Sequence, residues 1–375
     1  MLAQSPHLIR VLVVDDSFFM RKILVKILDD PKHGITVVDT AKTGLEAIEK
    51  NKLLKPDVIT MDVEMPHMDG LSALRRIIVE DPVPVVMLSA HTGKGMETTI
   101  RALEIGAVEC VGKPSGIPIT DLESIKNELI EKVKVASLSH PRKRSESELN
   151  GLEPKKEAKP SHGQMTEVSA PAHTLVAVAS STGGPRALHE LLAKIPSGFP
   201  AALVMVQHIS TGFTKALARR LDECGALNVV EAEEGQSVLT GFGYVAPAGR
   251  HLTVQGGPGN YRIALNDSPP RMGVRPSADV MMQSVAKASG KHCLGVILTG
   301  MGRDGAAGLK NIHEAGGRTF AQDAESCVVY GMPKAAMDSG WWTGSCPFPI
   351  SPARFCLFYP VKSFKTLKYP LGPFE

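Results

Sequence analysis

The sequence predicts a two-domain α/β protein, each domain built on a mainly parallel sheet. Three observations predict it. The chain has 375 residues, more than one ordinary core accommodates. Short, continuous apolar runs alternate with stretches of helical period along most of it, the pattern of parallel strands covered on both faces. A polar segment rich in Lys, Glu, Pro and Ser cuts that alternation into two blocks.

In the first block the runs are IRVLVV (9–14), ITVVDT (35–40), DVITMD (57–62), VPVVML (83–88) and AVECV (107–111). Amphipathic stretches separate them, as at Phe18, Ile23, Leu24, Ile27 and Leu28. Five such units complete a small doubly wound domain over 1–137. Residues 138–172 then read as a flexible linker, because so few apolar side chains cannot offset the entropy of ordering. Its basic residues read as solvated charge. In the second block, TLVAVAS (174–180), ALVMVQH (202–208), GYVAP (243–247), CLGVILTG (293–300) and GRTFAQD (317–323) read as strands. HLTVQG and YRIALN read as a β-hairpin turning through Gly256, Gly257, Pro258 and Gly259. This block is a Rossmann-like parallel sheet with a hairpin, over 173–340.

Composition narrows the function classes. Apolar residues at 43% and charged residues at 22% are ordinary for a soluble globular chain. A net charge of +3 gives no field for nucleic acid, and no basic helix-turn-helix follows the linker, which argues against a DNA-binding output domain. No apolar stretch reaches the roughly 18 residues of a membrane span, so no membrane insertion is expected. The segment MLAQSPHLIR has no signal-peptide core. The six cysteines lack C-x-x-C spacing and read as reduced thiols of a cytoplasmic protein.

Functional groups of parallel sheets collect at the carboxyl ends of strands. In the first block these ends carry Asp15-Asp16, Asp62, Ser89 and, after the fifth strand, Lys113. Adjacent carboxylates call for a cation, and their oxygens suit Mg²⁺. Asp62 becomes a plausible nucleophile, since carboxylates can form acyl-phosphates. VLVVDDS, DVITMDVEMPHMDG, VVMLSA and GAVECVGKP resemble a two-component response-regulator receiver domain, which is flavodoxin-like and five-stranded. The resemblance implies Asp62 as phosphoacceptor, with Asp15, Asp16, Asp62 and the backbone carbonyl of Glu64 around Mg²⁺. It implies that Ser89 and Lys113 sense the phosphoryl group and that a chemotaxis sensor histidine kinase donates it. Cys110 stands where receivers usually carry a switch aromatic.

In the second block, ASSTGGPRAL reads as strand, tight turn and helix, which places a serine at a helix N-terminus where developing negative charge is favoured. The same turn suits a phosphate cradle. His208 ends a strand and Asp304 follows another, so Ser, His and Asp can meet as nucleophile, base and orienting acid. His251 competes as base. ASSTGGPRAL, VMVQHISTGFTKALARRL, GYVAPAGRHL, RPSADVMMQSVA, LTGMGRDGAAGL and QDAESCVVYGMPKAA resemble the catalytic domain of the chemotaxis protein-glutamate methylesterases. That resemblance implies a triad of Ser181, His208 and Asp304, with Ser180 a spectator. It implies that Thr182 and Met301 line the site and that their main-chain N–H groups hold an oxyanion. The implied substrates are glutamate methyl esters, and glutamine amides by the same acyl chemistry, on chemoreceptor cytoplasmic helices. The receiver would cover the site until Asp62 is phosphorylated. The esterase centre needs no cofactor in this reading. Ser210 replaces a proline often found after Q-H-[MI].

Beyond Gly340 the chain departs from the family. Residues 341–375 read as an aberrant tail. Back-translated and read from the third base of the first Trp codon, WWTGSCPF permits V-D-[RGW]-[VLIF]-[LMV]-[PS], which contains the family's closing V-D-x-V-L-P. A frame shift near Trp341 is therefore expected, with poor packing beyond it and an esterase that could be inactivated.

Overall fold

A computed structural model describes residues 8–89, 93–113, 119–150, 170–341 and 344–346. The first sheet comprises β1 (Ile9–Val14), β2 (Ile35–Ala41), β3 (Val58–Asp62), β4 (Val85–Ser89) and β5 (Glu109–Gly112). They lie in the order β2-β1-β3-β4-β5, all parallel. The apolar runs form central strands because both faces are covered: Val11 to Val14 are fully buried. Between them run α1 (Phe18–Leu28), α2 (Gly44–Leu54), α3 (Gly70–Glu80) and α4 (Gly93–Ile105), followed by α5 (Ile119–Ser137). Side chains of Ser17, Thr43 and Asp69 cap the N-termini of α1, α2 and α3, which fixes where each helix begins.

After a short α6 (Glu146–Asn150), the second domain contains β6 (Leu175–Ser180), α7 (Gly184–Leu192), β7 (Ala202–Gln207), α8 (Phe213–Cys224), β8 (Asn228–Glu231) and β9 (Phe242–Val245). It continues with β10 (His251–Gln255), β11 (Arg262–Asn266), α9 (Ala278–Ser289), β12 (Cys293–Ile297), α10 (Ala306–Glu314), β13 (Arg318–Gln322), α11 (Met332–Asp338) and β14 (Gly344–Cys346). Seven strands form a parallel sheet in the order β14-β13-β12-β6-β7-β9-β8. The expected hairpin is present as the antiparallel pair β10-β11. The sequence reading overlooked β8, whose four residues are too few to display a period. Among the described residues no helix is long and apolar enough to cross a membrane.

The two domains share one apolar cluster. It runs from Ile100 and Leu103 on α4 to Leu188 and Leu191 on α7 and Leu217 on α8. Fully burying such a side chain contributes roughly 1.5–3 kcal/mol, whereas an exposed pair such as Arg219–Glu97 contributes about 0–1 kcal/mol. Apolar packing therefore dominates this seam. One ion pair within it is buried: Arg220 meets Glu104 at 2.8 Å.

The first part of the segment read as linker lies against the same seam. Arg144 is 8% exposed, donates to the carbonyls of Glu104 and Ile105 and pairs with Glu190 at 3.2 Å. Burial, with Arg186 nearby, pulls its guanidinium down to about 10. This corrects, for Arg144, the reading of that segment's basic residues as solvated charge, whereas Arg142 and Lys143 are exposed. Composition reports average polarity and cannot show that one arginine of a polar run is buried. Residues 151–169 and 347–375 lie outside the described residues, so the linker and tail readings there stand as expectations.

Candidate active site

β6, β7 and β12 are adjacent in the second sheet, so the loops leaving their carboxyl ends converge. Ser181 follows β6, His208 follows β7, and Met301 and Asp304 follow β12. The turn after Ser181 depends on two glycines. Gly183 adopts a φ of 76°, which favours glycine. At Gly184 a Cβ would lie 1.9 Å from Gln207 Oε1. Pro185 then occupies the first turn of α7.

The structure joins two of the three expected triad residues. His208 Nε2 lies 2.9 Å from Asp304 Oδ2. Asp304 also accepts from Ser277 Oγ at 2.8 Å and from the N–H groups of Ala278 (2.6 Å) and Asp279 (3.0 Å) at the N-terminus of α9. Burial opposes charge on Asp304, yet these donors and His208 hold its carboxyl below the ordinary value of 3.8. It therefore stays ionised and fixes the proton of His208 on Nε2, leaving Nδ1 as the basic nitrogen. Among the described residues, no hydrogen bond joins Ser181 Oγ to His208. The main-chain N–H groups of Thr182 and Met301 have no hydrogen-bond partner among the described residues, and neither belongs to a helix or strand. Thr182's hydroxyl donates across the seam to Glu109 of the receiver.

Three neighbours went unnoticed in the sequence. Gln207 is almost wholly buried, and its Nε2 donates to the carbonyls of Ser181 and His208, each at 2.8 Å. Its Oε1 accepts from Ser180 Oγ at 2.7 Å, so Ser180 braces the turn from behind. Asp279 accepts from the N–H groups of Gly305 and Gly308, capping α10 while its own helix caps Asp304. The only advance signal for Gln207 was its place beside His208. Ser277 and Asp279 lay 25 to 27 residues from Asp304, with no periodic link.

His251 does not compete as base. It is buried, its Nδ1 accepts from the N–H of Ser277, and its Nε2 donates to the carbonyl of Pro269. Both nitrogens are committed to the backbone, and His251 acts by orienting Ser277.

The receiver's cluster is assembled at the switch between β1 and β3. Carboxylate oxygens of Asp15, Asp16 and Asp62 all lie within 4.8 Å of one another. Lys113 Nζ sits 2.8 Å from Asp15 and 2.6 Å from Asp62. Burial raises Asp62 to about 6, against the lowering effect of Lys113. Ser89 and Glu64 line the same cleft, and the N–H of Glu64 donates to Asp62 Oδ1 at 3.3 Å. Hard anionic oxygens at this spacing, one of them on a fully buried aspartate, fit Mg²⁺. The described residues contain no other such group of acidic, histidine or cysteine side chains.

Comparison with known proteins agrees with both halves. The family model of the response regulator receiver domain matches residues 11–122, and that of the CheB methylesterase matches residues 176–348. A protein-glutamate methylesterase/protein-glutamine glutaminase of Symbiobacterium thermophilum is 46% identical over 337 residues, covering 88% of this chain and 92% of that protein. The protein of the same name from Bacillus subtilis is also 46% identical, over 89% of this chain and 93% of its own length. The crystal structure of the Thermotoga maritima CheB methylesterase catalytic domain is 39% identical, covers 50% of this chain and 98% of its own, and superposes with a TM-score of 0.48.

Proposed function

The chain belongs to the family of receiver-bearing protein-glutamate methylesterases/protein-glutamine glutaminases, and on that premise we propose that Ser181, His208 and Asp304 form its hydrolytic centre. The observation that carries this reading is the 2.9 Å His208–Asp304 bond beside the glycine turn of Ser181. A phosphate cradle would need neither residue.

In the proposed reaction Ser181 Oγ attacks the γ-carbonyl of a methylated glutamate and passes its proton to His208 Nδ1. The N–H groups of Thr182 and Met301 stabilise the oxyanion. Collapse of the intermediate expels methoxide, which takes the proton from His208 and leaves as methanol. A water then attacks the acyl-serine with His208 again as base, releasing the glutamate and restoring Ser181. A glutamine side chain follows the same path with ammonia as leaving group. Asp304 keeps its charge throughout.

Asp62 is proposed as the phosphoacceptor, with a sensor histidine kinase as donor and methylated chemoreceptor helices as substrate, all on the cytoplasmic side. Asp15, Asp16, Asp62 and the carbonyl of Glu64 would hold Mg²⁺, which supplies charge neutralisation to the incoming phosphoryl group. Lys113 and Ser89 would then bind its oxygens. Docked as it is, the receiver places Glu109 on Thr182, beside the nucleophile. Phosphorylation would release that hold by shifting the population of docked and undocked states.

The test is methanol release from receptor membranes carrying labelled methyl groups. Phosphorylated protein should release methanol, and Ser181→Ala should not. Full release by Ser181→Ala would overturn the assignment. The tail needs its own test. Its first residues still pair as β14 with β13, and resequencing the gene at codons 341–348 checks the proposed frame shift. An uninterrupted frame would defeat it.

A further inference from the structure

The Ser210 hydroxyl and the backbone carbonyl of Cys110 meet at one side chain. Cys110 lies on β5 of the receiver, and Ser210 lies two residues beyond His208, the proposed base. Lys132 on α5 donates to the carbonyl of Cys110 and, at 3.2 Å, to Ser210 Oγ. It pairs with Glu128 at 2.8 Å and stands 3.8 Å from Glu109. Ser210 Oγ donates in turn to Glu128 at 2.6 Å. Glu109 is the residue that accepts from Thr182.

A proline at 210 could make neither bond, so the contact depends on the serine hydroxyl. The Cys110 side chain is only 1% exposed and carries no ring. Burial disfavours charge on Lys132, but Glu109 and Glu128 hold it protonated above the ordinary lysine value. Lys113, which would meet the phosphoryl group, immediately follows the strand bearing Glu109 and Cys110. A pull on Lys113 is therefore a pull on the partners of Lys132.

We infer that Lys132 is a positioning residue for the esterase centre, holding the His208 loop through Ser210 and the Ser181 turn through Glu109 and Thr182. The inference rests on the esterase assignment proposed above. Lys132→Met, Lys132→Arg, Ser210→Pro and the double variant Lys132→Met/Ser210→Pro test it in the full chain. The main measurement is amide hydrogen exchange at 181–184 and 208–212, alongside methanol release without phosphodonor. Lys132→Met and Ser210→Pro should each speed exchange at 208–212 and raise the basal rate by roughly threefold or more. Lys132→Met should also speed exchange at 181–184. The double variant should go no further than the stronger single one, and Lys132→Arg should restore protection. Unchanged exchange at both loops, changes confined to α5, or fully additive effects would overturn it. Exchange reads the positioning even if no variant releases methanol, an outcome that would count against the esterase assignment alone.

Discussion

Asp62 and Asp304 stand in the same kind of place, at the carboxyl end of a parallel strand, and each is 4% exposed. The protein treats their charges oppositely. Asp62 has Lys113 and a weak bond from Glu64, too little to offset burial, and its carboxyl is raised to about 6. Asp304 has three donors from the start of α9 together with His208, and its carboxyl is lowered. The difference suits two tasks. A carboxylate proposed to form a bond to phosphorus is left under-satisfied, with a lysine beside it that would transfer to the phosphoryl group. A carboxylate proposed to hold one histidine in one tautomer is saturated with donors.

Breaking the saturated side should have the largest effect. Asp304→Asn turns an NH₂ group toward backbone donors or toward His208, and kcat for methanol release should fall about 10⁴-fold, as for the acid of other Ser-His-Asp triads. On the other side, Asp62→Asn should abolish labelling by acetyl phosphate and all stimulation of release, while the basal rate persists. Residual phosphodonor stimulation would break the assignment of Asp62. Ser277→Ala removes one donor from a charged acceptor, typically about 1.5–3 kcal/mol, so kcat should drop roughly tenfold with KM little changed. The smallest effect is in stability. Because Asp304's folded carboxyl lies below 3.8, its ionised form stabilises the fold at every pH above that value, and this contribution is lost as pH falls through the lowered one. Thermal melts should show Asp304→Asn less stable than wild type at pH 7, with the gap narrowing toward pH 3.

These two aspartates also mark how far the sequence is legible. Both were singled out at strand ends of a parallel sheet, where function gathers, and Asp304 was assigned its role through the family resemblance. The support around them was hidden. Ser277 and Asp279 reach Asp304 and the start of α10 from another helix, a contact set by how α9 and α10 pack and not by local spacing. Gln207 has no signature beyond its neighbour His208. His251 looked like a base until its two nitrogens were seen bonded to backbone. Arg144 looked like solvated charge because composition averages over a segment, while burial is decided one side chain at a time.

The buried Arg220–Glu104 pair gives the seam a thermal character. Arg220 Nε and Glu104 Oε1 are buried without hydrogen bonds, so part of the cost of removing both charges from water is uncompensated. That cost falls on warming, while the apolar packing beside it weakens on cooling. Both trends favour the closed arrangement in warmth and its opening in the cold. Basal activity, expressed as a fraction of the phosphorylated rate, should therefore rise as temperature falls, making the seam a crude thermometer set in series with the phosphoryl signal.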